Sequence, residues 1–257
     1  MKQIKGKTFV VTGGSSGLGE ATVRMIIEKG GNVIVFDINE ERGEAIAKEL
    51  GKAVLWPGAT DVASEESVTE SIQKGVDAFG VISGVVNCGG VAMAQKIVFR
   101  NGDPQSLDVF SEVIRINLLG TFNVCRLIAA HIVANVRDKK VNDADPGVLI
   151  NVASIAYTEG QAGQVAYSAS KGGVAGMTLP MARDLAGYAR VVTIAPGLFG
   201  TPMGNNIKDS IVQKHVIHPE RMGVPSEFAH LACAIIENPM LNGEIIRIDG
   251  AVRLNKL

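Results

Sequence analysis

Short apolar runs rich in β-branched residues recur along the chain, separated by longer amphipathic stretches. The runs are Thr8–Thr12, Asn32–Phe36, Ala53–Trp56, Gly84–Asn87, Gly147–Val152, Val191–Ala195 and Ile245–Ile248. Most lack the in-out alternation of a half-exposed strand, which is how a strand covered on both faces reads. The amphipathic segments are Leu18–Lys29, Glu40–Leu50, Ser64–Phe79, Leu107–Asn135, Val165–Leu185 and Ser226–Ile236. Ser64, followed by Glu66 and Ser67, marks one helix start, and Ser226 after Pro225 another. This spacing predicts βαβ units joined by right-handed crossovers into a doubly wound, seven-stranded parallel sheet with helices on both faces. No repeat, low-complexity tract or linker divides the chain, so one α/β domain over residues 1–257 is expected.

With 46% hydrophobic and 20% charged residues, the chain can bury a substantial core. A net charge of -1 offers no electrostatic footprint for nucleic acid or an anionic membrane. The longest apolar runs are strand-sized and broken by Gly or charge, so no membrane span is expected. Cys88, Cys125 and Cys233 form no CxxC pair and have no His at metal-ligand spacing, which predicts a reducing compartment and no structural metal. Cys125 and Cys233 read as small core residues and His131 as a helix-surface residue. Met1–Lys7 runs straight into the first strand and leaves no room for a signal peptide.

The first run leads directly into Thr12-Gly13-Gly14-Ser15-Ser16-Gly17-Leu18-Gly19 and then a helix. Gly13, Gly17 and Gly19 let the backbone turn sharply and approach a pyrophosphate, whose charge a helix N-terminus stabilises. A glycine-rich turn with no ligand has the same composition; its place between first strand and first helix argues for a dinucleotide site. Asp37 ends the second run about 20 residues on, where an acid bonds the adenosine ribose hydroxyls, worth roughly 1.5–3 kcal/mol. A 2′-phosphate there would meet a like charge, and no Arg or Lys sits in the glycine loop or beside Asp37. NAD is therefore the expected cofactor. Asp61-Val62 follows the third run, where a carboxylate can accept from the adenine amino group. Asn87-Cys88-Gly89-Gly90 follows the fourth, and its glycines would let backbone lie against a ribose.

Ser154 follows the fifth run in Asn151-Val152-Ala153-Ser154, and Tyr167-Ser168-Ala169-Ser170-Lys171 comes next. Tyr167 and Lys171, at i and i+4, share a helix face. Such pairs are common on helices; Ser154 upstream and the glycine loop give this one its meaning. A free tyrosine titrates near ~10, so acid/base work near neutral pH needs a shift of about three units, or ~4 kcal/mol. A cation at ~4 Å supplies about that much at an effective dielectric of ~20, so Lys171 is expected to activate Tyr167. Ser154 would hold the substrate oxygen. Asn117, on the long central helix, would hold a water that relays protons to Lys171. The loops Val91–Ser106 and Gly197–Gly223 follow strands at the C-terminal sheet edge, where ligands bind in this architecture.

The TGxxxGxG loop, the Asn-Cys-Gly-Gly segment, Ser154, Tyr167-x-x-x-Lys171 and Ile194-Ala195-Pro196-Gly197 occur in the order of the short-chain dehydrogenase/reductase family, which the chain resembles over essentially its whole length. Leu119–Val124, Ala166–Gly173, Gly176–Pro180, Thr193–Thr201 and Ile235–Gly250 are most similar to the branch that acts on 3-hydroxyacyl-CoA. The resemblance implies a Rossmann-fold homotetramer that moves a hydride between NAD and 3-hydroxyacyl-CoA or 3-oxoacyl-CoA, with some tolerance for steroids. It also implies that Ser16, Leu18, Asp37, Asp61, Val62, Cys88, Tyr167, Lys171, Phe199 and Thr201 touch NAD, beside Pro196 and Gly197 of the matched motif.

Departures are Cys88-Gly89-Gly90 for Cys-Ala-Gly, and Leu185–Val191, which is a residue short. The loops Val91–Ser106 and Asn205–Pro219 match least, and these would contact the acyl-CoA. A steroid or alcohol dehydrogenase and a 3-oxoacyl-carrier-protein reductase share the catalytic set, although Asp37 opposes the NADPH-dependent reductase. An NAD-binding scaffold subunit is the alternative of another class, opposed by the complete catalytic set. Lys96 and Arg100 are candidates for CoA phosphates, Tyr157 and Gln164 for the substrate pocket, and His215 and His218 flank a loop near it. Asn255-Lys256-Leu257 differs at one position from the Ser-Lys-Leu peroxisomal address, so the expected location is the cytoplasm, mitochondrion or peroxisome.

Overall fold

The computed structural model describes residues 4–141, 143–204, 212 and 215–253; the C-terminal Asn255-Lys256-Leu257 and most of the 205–214 loop lie outside them. The elements run β1 (Thr8–Thr12), α1 (Gly17–Glu28), β2 (Asn32–Phe36), α2 (Glu40–Leu50), β3 (Val54–Leu55), α3 (Glu65–Phe79), β4 (Ile82–Asn87), α4 (Leu107–Ile114), α5 (Thr121–Arg137), β5 (Gly147–Val152), α6 (Ala156–Glu159), α7 (Val165–Asp184), β6 (Ala189–Pro196), α8 (Pro225–Glu237) and β7 (Ile245–Ile248). The strands form one parallel sheet in the order β3-β2-β1-β4-β5-β6-β7. This is the doubly wound Rossmann arrangement.

Residues alternate between the two faces of a strand, and both faces here are dry. Phe9, Val11, Val33, Val35, Val86, Ile150 and Ile194 pack against Val23 and Ile26 of α1 and Phe228, Cys233 and Ile236 of α8. Val10, Ile34, Val85, Leu149 and Val191 take the opposite face, against Val68 of α3 and Val124, Cys125, Ile128 and Ile132 of α5. Cys125 and Cys233 are thus core residues, as their apolar settings predicted.

Several boundaries differ from the sequence reading. β3 is only Val54–Leu55, because it is an edge strand with a single partner, β2. The expected helix Leu107–Asn135 runs to Arg137 but widens into a π-helical stretch at Arg115–Gly120. By length and composition the 107–137 helix could cross a membrane, yet half of its apolar window is buried in the protein, and α5 supplies much of one core face. Ser64 caps α3 by accepting from Ser67 N–H, whereas α8 starts at Pro225 rather than Ser226. There the proline's missing N–H costs nothing.

His131 is not a plain surface residue. Its Nε2 accepts the Ile82 N–H, and burial pushes its pKa down, so the neutral ring ties α5 to the start of β4. The Val91–Ser106 loop is more ordered than its polarity suggested. Phe99 N–H bonds Asp103 and Gln105 N–H bonds Ile97, making a small hairpin that exposes Ile97, Val98 and Phe99.

Candidate active site

A cleft of about 800 Å³ opens at the C-terminal edge of the sheet. It lies where the chain leaves β1 and β4 in opposite directions, the switch point at which such sheets take ligands. Gly13 sits at φ +60°, and a Cβ on it would fall 2.9 Å from the Gly89 backbone. A Cβ on Gly19 would fall 2.1 Å from the Gly13 carbonyl oxygen. Only glycine allows the two turns and the first helix to meet this closely. Gly17, Leu18 and Gly19 line the cleft, and the α1 terminus they form has no side-chain cap from Ser16. An uncapped terminus presents free N–H groups and the positive end of the helix dipole. Bare backbone and unspent donors there fit a dinucleotide pyrophosphate.

Asp37 lies at one end of this cleft, held by more than the sequence suggested. Its carboxylate accepts from Ser15 N–H at 3.2 Å, Ser15 Oγ at 2.5 Å and Asn39 N–H at 3.2 Å. Arg42, in the first turn of α2, also lines the cleft, a cation that the residues flanking Asp37 in sequence do not reveal. Sequence distance hid it; the helix turn brings it round. Asp61 and Val62 also line the cleft, but Asp61 is not a free acceptor. Its Oδ2 takes Arg115 Nη1 at 2.9 Å and its Oδ1 takes Ala63 N–H at 2.9 Å. Arg115 and Glu112, both unforeseen, complete that wall.

Ser154, Tyr167 and Lys171 come together at the other end, with Cys88, Gly89, Pro196, Gly197, Phe199, Thr201, Ser16 and Gln164 around the same cleft. Tyr157 instead packs into a small cluster with Val174 and Met177. His215 is buried and, like His218, does not line the cleft. Lys96 and Arg100 are exposed and also stand outside its lining. Lys171 Nζ stands 5.8 Å from the Tyr167 ring centroid and donates to the Val152 carbonyl at 2.8 Å.

The expected lowering of the tyrosine by the lysine is not what the free protein shows. Burial raises Tyr167, with a hydrogen bond to Ser154 opposing it, and burial lowers Lys171 to about 8. Desolvation disfavours each charged form, and it is the largest influence on both groups. Burial likewise lifts the Cys88 thiol to about 12.

Asn87 and Asn117 do not line the cleft. Asn87 turns into the sheet, donating to Asn151 Oδ1 at 2.9 Å. Asn117 is fully buried. Its Oδ1 accepts Val91 N–H at 2.8 Å, and its Nδ2 donates to Val91 carbonyl at 2.9 Å and Ser170 Oγ at 3.1 Å. These bonds pin the loop that leaves β4 to the Asn117 side chain. A Cβ on Gly90 would come within 2.9 Å of Asn117 Oδ1 and 3.6 Å of Lys171 Nζ, so Gly90 lies between the two side chains.

The sequence pattern of short chain dehydrogenases matches residues 7–211. The chain belongs to the short-chain dehydrogenase family. It is an oxidoreductase built for a nicotinamide dinucleotide. Among its relatives, human 3-hydroxyacyl-CoA dehydrogenase type-2 is 46% identical over 98% of this chain and 97% of that protein. The Drosophila melanogaster protein of the same name is 47% identical over 98% and 99%. The crystal structure of 3-hydroxyacyl-CoA dehydrogenase type-2 from Mycobacterium avium superposes with a TM-score of 0.91 at 39% identity, covering 99% of both chains.

Proposed function

We propose that the protein interconverts 3-hydroxyacyl-CoA and 3-oxoacyl-CoA with NAD as the dinucleotide, Tyr167 acting as the acid/base. The observation that carries this reading is the convergence in one cleft of an uncapped glycine-loop helix, a fixed Asp37 and the Ser154–Tyr167–Lys171 set. The high identity to proteins named for that substrate supports the acyl-CoA assignment.

Gly13, Ser16, Gly17, Leu18 and Gly19 would hold the pyrophosphate, Asp37 the adenosine ribose, and Asp61 with Val62 the adenine. Cys88, Gly89, Pro196, Gly197, Phe199 and Thr201 would border the nicotinamide half. The dinucleotide, when bound, supplies or accepts the hydride. Ser154 holds the substrate oxygen by hydrogen bond, and Tyr167 Oη donates its proton to that oxygen in reduction and takes it back in oxidation. Lys171, kept in place by the Val152 carbonyl, stabilises the phenolate left behind. Asp37, with its three donors, presents a carboxylate to ribose hydroxyls and repels a 2′-phosphate; Arg42 offsets part of that repulsion. NAD is thus preferred rather than exclusive. Exposed Leu107, Leu119, Phe122, Val165 and Leu179 on α4, the π stretch, α5 and α7 support association into the homotetramer.

The test is a steady-state panel of acetoacetyl-CoA, a carrier-protein thioester and a ketosteroid, each with NADH and NADPH. Turnover is expected to be best with acetoacetyl-CoA and NADH. Activity confined to the other substrates would remove the acyl-CoA assignment while leaving the dehydrogenase intact.

A further inference from the structure

The wall that Arg115 builds has no counterpart in the sequence reading. Its guanidinium is held on two sides: Nε and Nη2 make a fork onto Glu112 at 2.8 and 2.9 Å, while Nη1 reaches Asp61 Oδ2 at 2.9 Å. Glu112 lies one turn back on the same helix, so the fork fixes the direction in which Arg115 points. Asp61 belongs to the loop after β3, and its second oxygen is fixed by Ala63 N–H. The bridge therefore links the α4 side to the β3–α3 loop along one wall of the cleft, and all three side chains line it.

We propose that Arg115 is an adenosine-site residue, clasping Asp61 in the position that receives the adenine and presenting its own planar cation to the ring. A guanidinium stacks on or edges an aromatic base more readily than an ammonium does. The claim rests on the dinucleotide reading above and adds which side chain sets affinity for its adenosine half.

NADH binding is followed by fluorescence titration, and ADP-ribose is titrated in competition. In Arg115→Met, affinity for both ligands should fall by about tenfold, the loss of one charge-assisted contact. Arg115→Lys should not restore it, because the fork is lost. Raising the salt from about 0.05 to 0.5 M should weaken ADP-ribose binding more in wild type than in Arg115→Met, since this bridge is partly exposed and screened; a merely structural residue would give parallel curves. Equal ADP-ribose affinity in wild type and Arg115→Met overturns the proposal. If Arg115→Met does not fold, Glu112→Gln decides in the same assay: weaker ADP-ribose binding supports the clasp and unchanged binding overturns it. Wild-type protein that binds neither NADH nor ADP-ribose would instead sink the dinucleotide reading itself.

Discussion

The two ends of the cleft handle charge in opposite ways. At the adenosine end, Arg115, Asp61 and Glu112 are paired and each about two-fifths exposed, at 42%, 43% and 41%. At the Tyr167 end, Lys171 is 5% exposed and, among the described residues, no carboxylate pairs with it; it donates to the Val152 carbonyl. Exposed pairs are screened and contribute little to stability, so their value is in positioning and affinity. A buried, unpaired ammonium cannot be screened and answers by shifting its own pKa. On the function proposed above, the cleft thereby separates binding from chemistry. Changes at the wet end should move dissociation constants, and changes at the dry end should move kcat.

The hardest blow to this division comes from the phenol. Tyr167→Phe removes the proton donor while keeping the ring, and should lower kcat by ~10²–10⁴ with NADH affinity unchanged by titration. If kcat stays near normal, the dry end is not where the proton moves. Lys171→Met should cost ~10²–10³ in kcat, since general acid–base efficiency depends on the charge beside the acid. Should NADH affinity collapse while kcat holds, Lys171 would belong to the binding end and the contrast would fail.

The wet end is sharpened by Asp37. Replacing it with Ser removes the like-charge contact but leaves Arg42, so the NADPH-to-NADH ratio of kcat/KM should rise by about 10–100-fold. Adding Arg42→Ala should return much of that gain. A ratio unmoved by either change would mean that the 2′ position of the ribose does not reach this pair.

The strand and glycine-loop skeleton was legible in the sequence because it depends on local rules. Doubly covered strands read as unbroken apolar runs, and β1, β2, β5 and β7 have the boundaries those runs gave. Most of the cleft residues follow from the same logic, since each lies just past a strand's C-terminal end. What escaped depends on pairing across the chain. Glu112 and Arg115 stand at i,i+3 and could have been read as a helix pair, but nothing local announces that Arg115 reaches Asp61. The bonds of the Asn117 amide to Val91 are likewise set by the loop after β4. The direction of the Tyr167 shift was misjudged for a related reason. Sequence spacing gives the neighbour's charge, and only burial gives the desolvation that opposes it.

The finest test of the dry end is thermodynamic, and it turns on Lys171 alone. Its pKa falls from an ordinary 10.5 to about 8 in the folded chain, so the unfolded chain holds that proton more tightly. Below pH 8 both states carry the charge, and the folded state bears the full penalty, on the order of 3 kcal/mol at 1.36 kcal/mol per unit. As pH rises from about 8 towards 10.5, the folded state sheds the proton first and the penalty fades, by about 1 kcal/mol per pH unit. Lys171→Met should therefore be more stable than wild type at pH 7, by less than the full penalty because the Val152 carbonyl loses its donor. That advantage should shrink as the pH is raised through this window. Urea melts of both proteins at pH 7, 8, 9 and 10 would show it as two stability curves that converge. Parallel curves would mean that the lysine is not desolvated, and the difference between the two ends of the cleft would then be one of geometry rather than of water.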